Sequence, residues 1–207
     1  MTRATVDRFE QRKQTRAKLI EAALRLFGSR GYEHATVDDI SQAAGYSKGA
    51  YYFHFSTKDD ILLELLRIWT EDRNAVLQQH AGDDASGAAR AALAAFFSYD
   101  DAWRGVLLEF WSQATRNVEV SKRLNQAYAG WRTQITEMLS AAMERGQIAG
   151  GSAEDIASVA LAAHDGYAVQ SAIEAPGARA MTAEHLADAL LTPLPAVAEA
   201  TRAASAL

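Results

Sequence analysis

Cysteine is absent from the 207 residues. Disulfides and thiolate metal sites are therefore excluded, and a reducing compartment is the natural setting. No apolar run is long and charge-free enough to cross a bilayer, and the opening Met1-Thr-Arg-Ala-Thr-Val-Asp-Arg8 lacks the apolar core of a secretory signal. A cytoplasmic protein without membrane contact is expected. Only three prolines occur, Pro176, Pro193 and Pro195, and each is expected to separate or stop helices. Strand signals are missing, and no repeat recurs along the chain. Catalytic motifs are missing as well: there is no His-Glu-x-x-His, no Gly-x-Ser-x-Gly, no Gly-Lys phosphate loop, and no acidic pair at metal-ligand spacing beside a histidine. No enzyme, cofactor or metal is expected.

Positive charge is also scarce. The formal net charge is −5, which for the chain as a whole argues against nucleic acid. Its distribution reverses the argument: the first sixty residues hold ten Lys and Arg against eight Asp and Glu, the remainder eleven against eighteen. Arg3, Arg8, Arg12, Lys13 and Arg16 precede or open the first helical pattern, where they either follow a phosphate backbone or form a solvated face. At 49% hydrophobic, the chain can bury a substantial core, as one large domain or as a small and a larger one.

The first helix is predicted from about Glu10 to Ser29, with Leu19, Ala22, Ala23, Leu26 and Phe27 at helical spacing. The stretch from Thr36 to Lys58 follows. Thr36 can cap a helix with Asp38 and Asp39 in its first turn, Gly45 can take the left-handed backbone that ends it, and Ser47 can cap a second helix. Two such short helices have the shape of a helix-turn-helix, whose second helix enters the major groove. Ser47-Lys48-Gly49-Ala50 places small and cationic residues at that helix's start, where backbone N–H groups favour phosphate. Tyr51 and Phe55, four apart, are expected to pack inward, with Tyr52 and His54 presenting polar tips outward. A fourth helix is predicted from Thr57, capped by Ser56 with Asp59 three residues on, buried through Ile61, Leu62, Leu65, Leu66 and Trp69, and ending before Gly82.

At these residues the chain resembles the TetR (tetracycline-repressor) family of transcriptional regulators. The matching residues are Ile40-Ser41, Ala44 to Phe55, Ser56-Thr57-Lys58-Asp59 and Ile61-Leu62, within a resemblance covering residues 10 to 65. It implies an all-α homodimer: a three-helix helix-turn-helix DNA-binding domain at 1–56, with a basic arm at 1–9, and a helical bundle for effector binding and dimerisation at 57–207. It also implies that Thr36, Ser47, Tyr52, His54 and Lys58 hold phosphates, while Lys48, Gly49 and Ala50 read or approach base edges. Two positions depart from the family pattern: Ser41 stands where a small Ala is usual, and Tyr46 where Val is usual. Tyr46 is expected either in the turn packing or at the DNA.

Beyond the turn-rich Gly82–Gly87, further helices are predicted at Ala88–Ser98, Ala102–Arg116, Glu119–Arg145, Ala153–Glu174 and Ala183–Leu191. Large rings among many alanines either interdigitate as solid core or leave a cavity. The second domain of TetR-family regulators commonly holds a small-molecule pocket, and Leu107-Leu-Glu-Phe-Trp111 with the closing helix pair is similar to the family's betaine-pathway repressor type, a resemblance that carries no ligand with it. An effector pocket lined by Phe110, Trp111, Tyr128, Trp131, His164 and Tyr167 is expected, with Glu109 or Asp165 as polar anchor. His164 and Asp165 stand about 100° apart on a helix, so both cannot point straight into one cavity, and His164 is favoured. Ala162, Gly166, Val169 and Ile173, with Leu186, Ala189 and Leu190, are expected to form a four-helix dimer interface.

The function expected is a ligand-responsive repressor that binds a pseudo-palindromic duplex operator as a homodimer and is released by a small molecule. One alternative is a DNA-binding regulator without such an effector, constitutive or switched by a partner. The remote alternative is a helical enzyme centred on His164 and Asp165.

Overall fold

The computed structural model describes residues 3–80, 87–98, 100–148, 151–173 and 181–192. Among these residues the chain is helical without strands, in the order α1 (Arg3–Arg30), α2 (Val37–Ala43), α3 (Lys48–His54), α4 (Lys58–Gln79), α5 (Ala88–Phe97), α6 (Asp101–Ala114), α7 (Val118–Glu144), α8 (Ala153–Ile173) and α9 (Ala183–Leu191). The three prolines, the tail from Ala196 and most of the Gly82–Gly87 break lie outside the described residues.

Two boundaries differ from the sequence reading. α1 begins at Arg3, seven residues before the expected Glu10, because nothing in the basic arm breaks a helix. α4 is capped by Thr57 and Asp60 instead of Ser56 and Asp59: Thr57 Oγ1 accepts from Asp60 N at 3.1 Å, and Asp60 Oδ2 accepts from Thr57 N at 2.9 Å. That reciprocal pair satisfies two orphan amides of the first turn. Asp59 is thereby left for another role.

The chain divides into two compact units, Met1–Glu71 with Tyr99–Leu124 and Asp72–Ser98 with Asn125–Leu207. Packing thus divides within α4 and α7 and not at residue 56. In the first unit, Leu19, Ala22, Ala23 and Phe27 of α1 are buried with Ile40, Tyr51, Ile61 and Leu62, and with Val106, Leu107 and Phe110 of α6. α6 belongs here because it crosses α1 backbone to backbone. A Cβ on Gly105 would lie 2.4 Å from the Gly28 carbonyl oxygen, and one on Gly28 would lie 2.8 Å from that of Ala102. Only glycine permits this approach.

In the second unit the end of α5 is held by Arg73, whose Nη1 donates to the carbonyls of Ala95, Phe96 and Ser98 at 3.2, 2.8 and 2.6 Å. They stand at the helix end, where intrahelical donors run out, and that of Ala95 also accepts from Ser98 N at 3.2 Å. The core is a cluster of rings: Phe96 lies 5.4 Å from Trp131 and 5.3 Å from His164, and Phe97 lies 5.9 Å from His164. Ala92, Ala157, Ala160 and Ala168 pack as small residues in the same unit's core.

Candidate nucleic-acid interface

Side-chain caps build the two short helices. Thr36 Oγ1 accepts from Asp39 N at 3.1 Å, and Asp39 Oδ2 accepts from Thr36 N at 2.9 Å. The Asp39 carboxyl is held below its usual range, first by the side-chain hydrogen bond from Thr36 and then by that residue's backbone amide. Gly45 has φ +77°, and its amide donates to Gln42 O at 3.0 Å while that of Tyr46 donates to Ser41 O at 2.9 Å. This pair of bonds closes α2 in a Schellman motif. Tyr46 is therefore part of the turn itself, half-buried, with the Lys18 ammonium over its ring at 5.9 Å. The serine at position 41 is accommodated because its buried hydroxyl donates to Val37 O at 2.7 Å.

α3 opens on Ser47, whose Oγ accepts from Ala50 N at 3.3 Å. It buries one side chain, Tyr51, whose hydroxyl donates to Thr57 O at 2.9 Å and whose ring lies 5.7 Å from that of buried Phe55. The inward pair is the one the four-residue spacing predicts. On the other side Lys48, Gly49 and Tyr52 are exposed, and Ala50 and His54 are half-buried. Phe53, whose direction the spacing leaves open, is 61% exposed. The His54 imidazole is held below its usual range first by burial, then by the Arg16 and Arg12 guanidiniums.

Two cations expected at DNA have partners within the chain. Lys48 Nζ stands 3.0 Å from the Asp38 carboxylate, which raises its affinity for the proton and ties α3 to the first turn of α2. Lys58 Nζ, expected on a phosphate, donates to Tyr32 O at 2.7 Å and stands 4.1 Å from the centre of that ring. Its neighbour Asp59 accepts from the Tyr32 hydroxyl and from Asn117 Nδ2, the latter at 3.0 Å. Burial first, and then Asp59, pushes the Tyr32 hydroxyl well up. Lys58 and Asp59 thus clamp the turn after α1, a role that becomes visible only once α1, α4 and the start of α7 are brought together.

The residues expected around an effector are distributed over both units. Phe110 and Trp111 belong to the first unit, where Phe110 is fully buried 6.0 Å from Trp69, and Glu109 lies over Gly31. Tyr128, Trp131, His164 and Tyr167 belong to the second, and His164 and Trp131 sit within its ring cluster. Asp165, expected to diverge from His164, reaches back to it: Oδ1 lies 3.1 Å from His164 Nδ1, while Oδ2 accepts from the Tyr128 hydroxyl at 2.6 Å. A concavity of about 230 Å³ in the same unit, which no sequence signal marked, is lined by the end of α4, α5 and α7, with Leu77, Ala88, Met138 and Ala141 among its walls and Gln134 and Glu137 at its polar side.

Of the expected dimer residues, Ala162, Gly166, Val169 and Ile173 are exposed along one stripe of α8, which Val159 extends at 55% exposure. On α9, Ala189 is exposed and Leu190 half-buried. Leu186 departs from the expectation: it is buried within its own chain, because it shares the inward face of α9 with Ala183 and Ala187.

Comparison with known proteins places the chain. Residues 19–65 match the model of bacterial regulatory proteins of the tetR family, and residues 75–195 match that of the BetI-type transcriptional repressor C-terminal region. The transcriptional regulator TtgR of Pseudomonas putida is 30% identical over 164 residues, 75% of this chain and 78% of that protein. YwcC of Bacillus subtilis, an uncharacterised regulator, is 52% identical over 56 residues, which span 27% of this chain and a quarter of that protein's length. A transcriptional regulator from Saccharomonospora viridis, solved in complex with choline, superposes with a TM-score of 0.70 at 26% identity, over 87% of this chain and 93% of that one. A helix-turn-helix whose second helix is capped, tethered and turned outward, followed by a region of the BetI type, makes this chain a member of the TetR family of transcriptional regulators.

Proposed function

We propose that the protein is a cytoplasmic, non-enzymatic repressor that binds a pseudo-palindromic operator as a homodimer and is released by a small molecule. The observation that carries the reading is α3: seven residues long, it buries only Tyr51 and leaves Lys48, Gly49, Tyr52 and Phe53 to solvent. A helix that spends so little of its surface on the core is positioned to meet something else, and its capped, cationic start suits the major groove. Ser47, Tyr52 and His54 hold phosphates in this reading, and Thr36 adds its exposed turn. Lys58, which also donates to Glu33 O at 3.5 Å, joins them with the ammonium hydrogen its two carbonyl partners leave over. Residues 1–56, with Lys58 just beyond them, carry the DNA contacts, and the rest of 57–207 the effector and dimer functions.

Dimerisation rests on α8, where Val159, Ala162, Gly166, Val169 and Ile173 follow one another at steps of three and four, the spacing of a helix–helix seam. Ala189 and Leu190 of α9 join that surface. The effector, in this reading, is a small organic cation seated in the second unit. The Tyr128 hydroxyl donates to the Asp165 carboxylate and its ring lies edge-on to Trp131, and aromatic faces with a nearby anion attract ammonium groups; the Saccharomonospora relative holds choline.

Selection of bound duplexes from random sequence, followed by footprinting, tests the DNA reading; enrichment of an inverted repeat is expected, and no enrichment defeats it. Titration with choline and with an uncharged isostere, read by Trp fluorescence and by operator release, tests the effector class. Tight operator binding unaffected by either compound favours the constitutive or partner-switched regulator.

A further inference from the structure

The first half of α1 runs beside the end of α3. Arg8, Gln11, Arg12 and Thr15, three or four residues apart on one helix face, stand next to Ala50, Phe53 and His54, and together they enclose a shallow concavity of about 260 Å³. Its lining carries two guanidiniums, an amide, a hydroxyl and an imidazole around one exposed ring, and no carboxylate. The Arg12 guanidinium lies 5.0 Å from the centre of that ring, Phe53. Neighbouring cations on α1 are committed elsewhere: Arg16 pairs with Glu64 at 2.9 Å, and Lys13 stands 3.9 Å from Glu10. Arg12 has no carboxylate partner among the described residues.

We infer that this concavity seats the DNA backbone beside the recognition helix, with Arg12, laid on Phe53, and Arg8 holding a phosphodiester of the operator. The inference rests on the reading of α3 as the recognition helix and extends the DNA-binding surface onto α1. A guanidinium stacked on a ring keeps its plane fixed and its N–H fork free at the edge, the geometry that phosphate oxygens accept in pairs. The ring then serves twice, orienting Arg12 and offering an apolar face to the sugar. His54 adds an imidazole at the rim of the concavity.

The test measures affinity of the full-length protein for its selected duplex as salt is raised. Arg12→Ala and Arg8→Ala are each expected to reduce the log–log slope by about one unit while selecting the same sequence. Arg12→Lys should keep the slope yet bind several-fold more weakly, because a lysine neither stacks as a plane nor pairs with two oxygens. Phe53→Leu should weaken binding at unchanged slope, and Lys13→Ala should alter neither. A wild-type slope in Arg12→Ala overturns the inference, as does an equal loss in Lys13→Ala, which would mean diffuse charge only. Should Arg12→Ala fail to fold, wild-type affinity in both Arg12→Lys and Phe53→Leu overturns it instead. A wild-type protein that selects no duplex defeats the recognition-helix reading, and this inference with it, and is thereby told apart from failure of the α1 contact alone.

Discussion

At Gly105 an added methyl would lie 2.4 Å from the Gly28 carbonyl oxygen, whereas at Gly130 and Gly166 it would meet nothing within 4 Å. The contrast separates the two units. In the first, α1 and α6 touch through their backbones, and the polar side chains that remain are used one by one, in caps and in the clamp of Lys58 and Asp59 on Tyr32. In the second, large rings are set against alanines in the core, and its glycines in α7 and α8 lie on outward faces. One residue type thus carries opposite meanings: at Gly105 it is required by what lies opposite, and at Gly130 it only leaves the helix without a side chain.

The largest expected effect comes from breaking the first arrangement. Gly105→Ala should lose about 3 kcal/mol, since neither backbone can yield as a flexible side chain would; a change below about 0.5 kcal/mol in urea unfolding would show the crossing to be looser than it looks. Next, Val169→Glu with Ile173→Glu, both outward on α8, should leave the single chain folded and convert a dimer to monomers at micromolar concentration in sedimentation velocity. An unaltered dimer would move the interface elsewhere. Thr36→Ala removes one half of a reciprocal cap and should cost about 1 kcal/mol, read by the same unfolding experiment. Gly130→Ala sharpens the comparison from the other side, with a gain of about 0.5–1 kcal/mol from helix propensity alone.

The smallest effect concerns pH. Glu64 is held at about 2, against a usual 4.5, first by its hydrogen bond from Arg67 and then by Arg16. A carboxyl whose folded pKa is depressed stabilises the fold above its ordinary value, and that stabilisation is lost as pH falls from 4.5 toward 2. Glu64→Gln should flatten this part of the stability profile, and a wild-type profile in the variant would show that the pair contributes nothing.

Much of the helix-turn-helix was legible in the residues because its determinants are local. Thr36, Gly45 and Ser47 act on amides and carbonyls within five residues of themselves, and the four-residue step from Tyr51 to Phe55 fixes which side of α3 faces inward. Lys58 was legible as a cation at the start of a helix, but not as a ligand of the Tyr32 carbonyl, because that partner lies twenty-six residues away. Ring partners were illegible for the same reason: adjacent residues on α6 gave no sign that Phe110 packs on Trp69, nor did α7 show that Trp131 packs on Phe96. Leu186 has the spacing of an interface residue and of a core residue alike.

The order of residues by itself determined an all-helical chain, the two capped helices of the helix-turn-helix and the small-residue stripe of α8, since hydrogen bonds and side-chain periodicity within a few residues suffice for each. Tertiary structure alone decided that α6 joins the unit of α1, that Asp165 turns back to His164 and Tyr128, and that Arg12 lies on Phe53. Each of those depends on which distant surfaces meet, and that is settled by the packing of whole helices, not by any one segment's own preference.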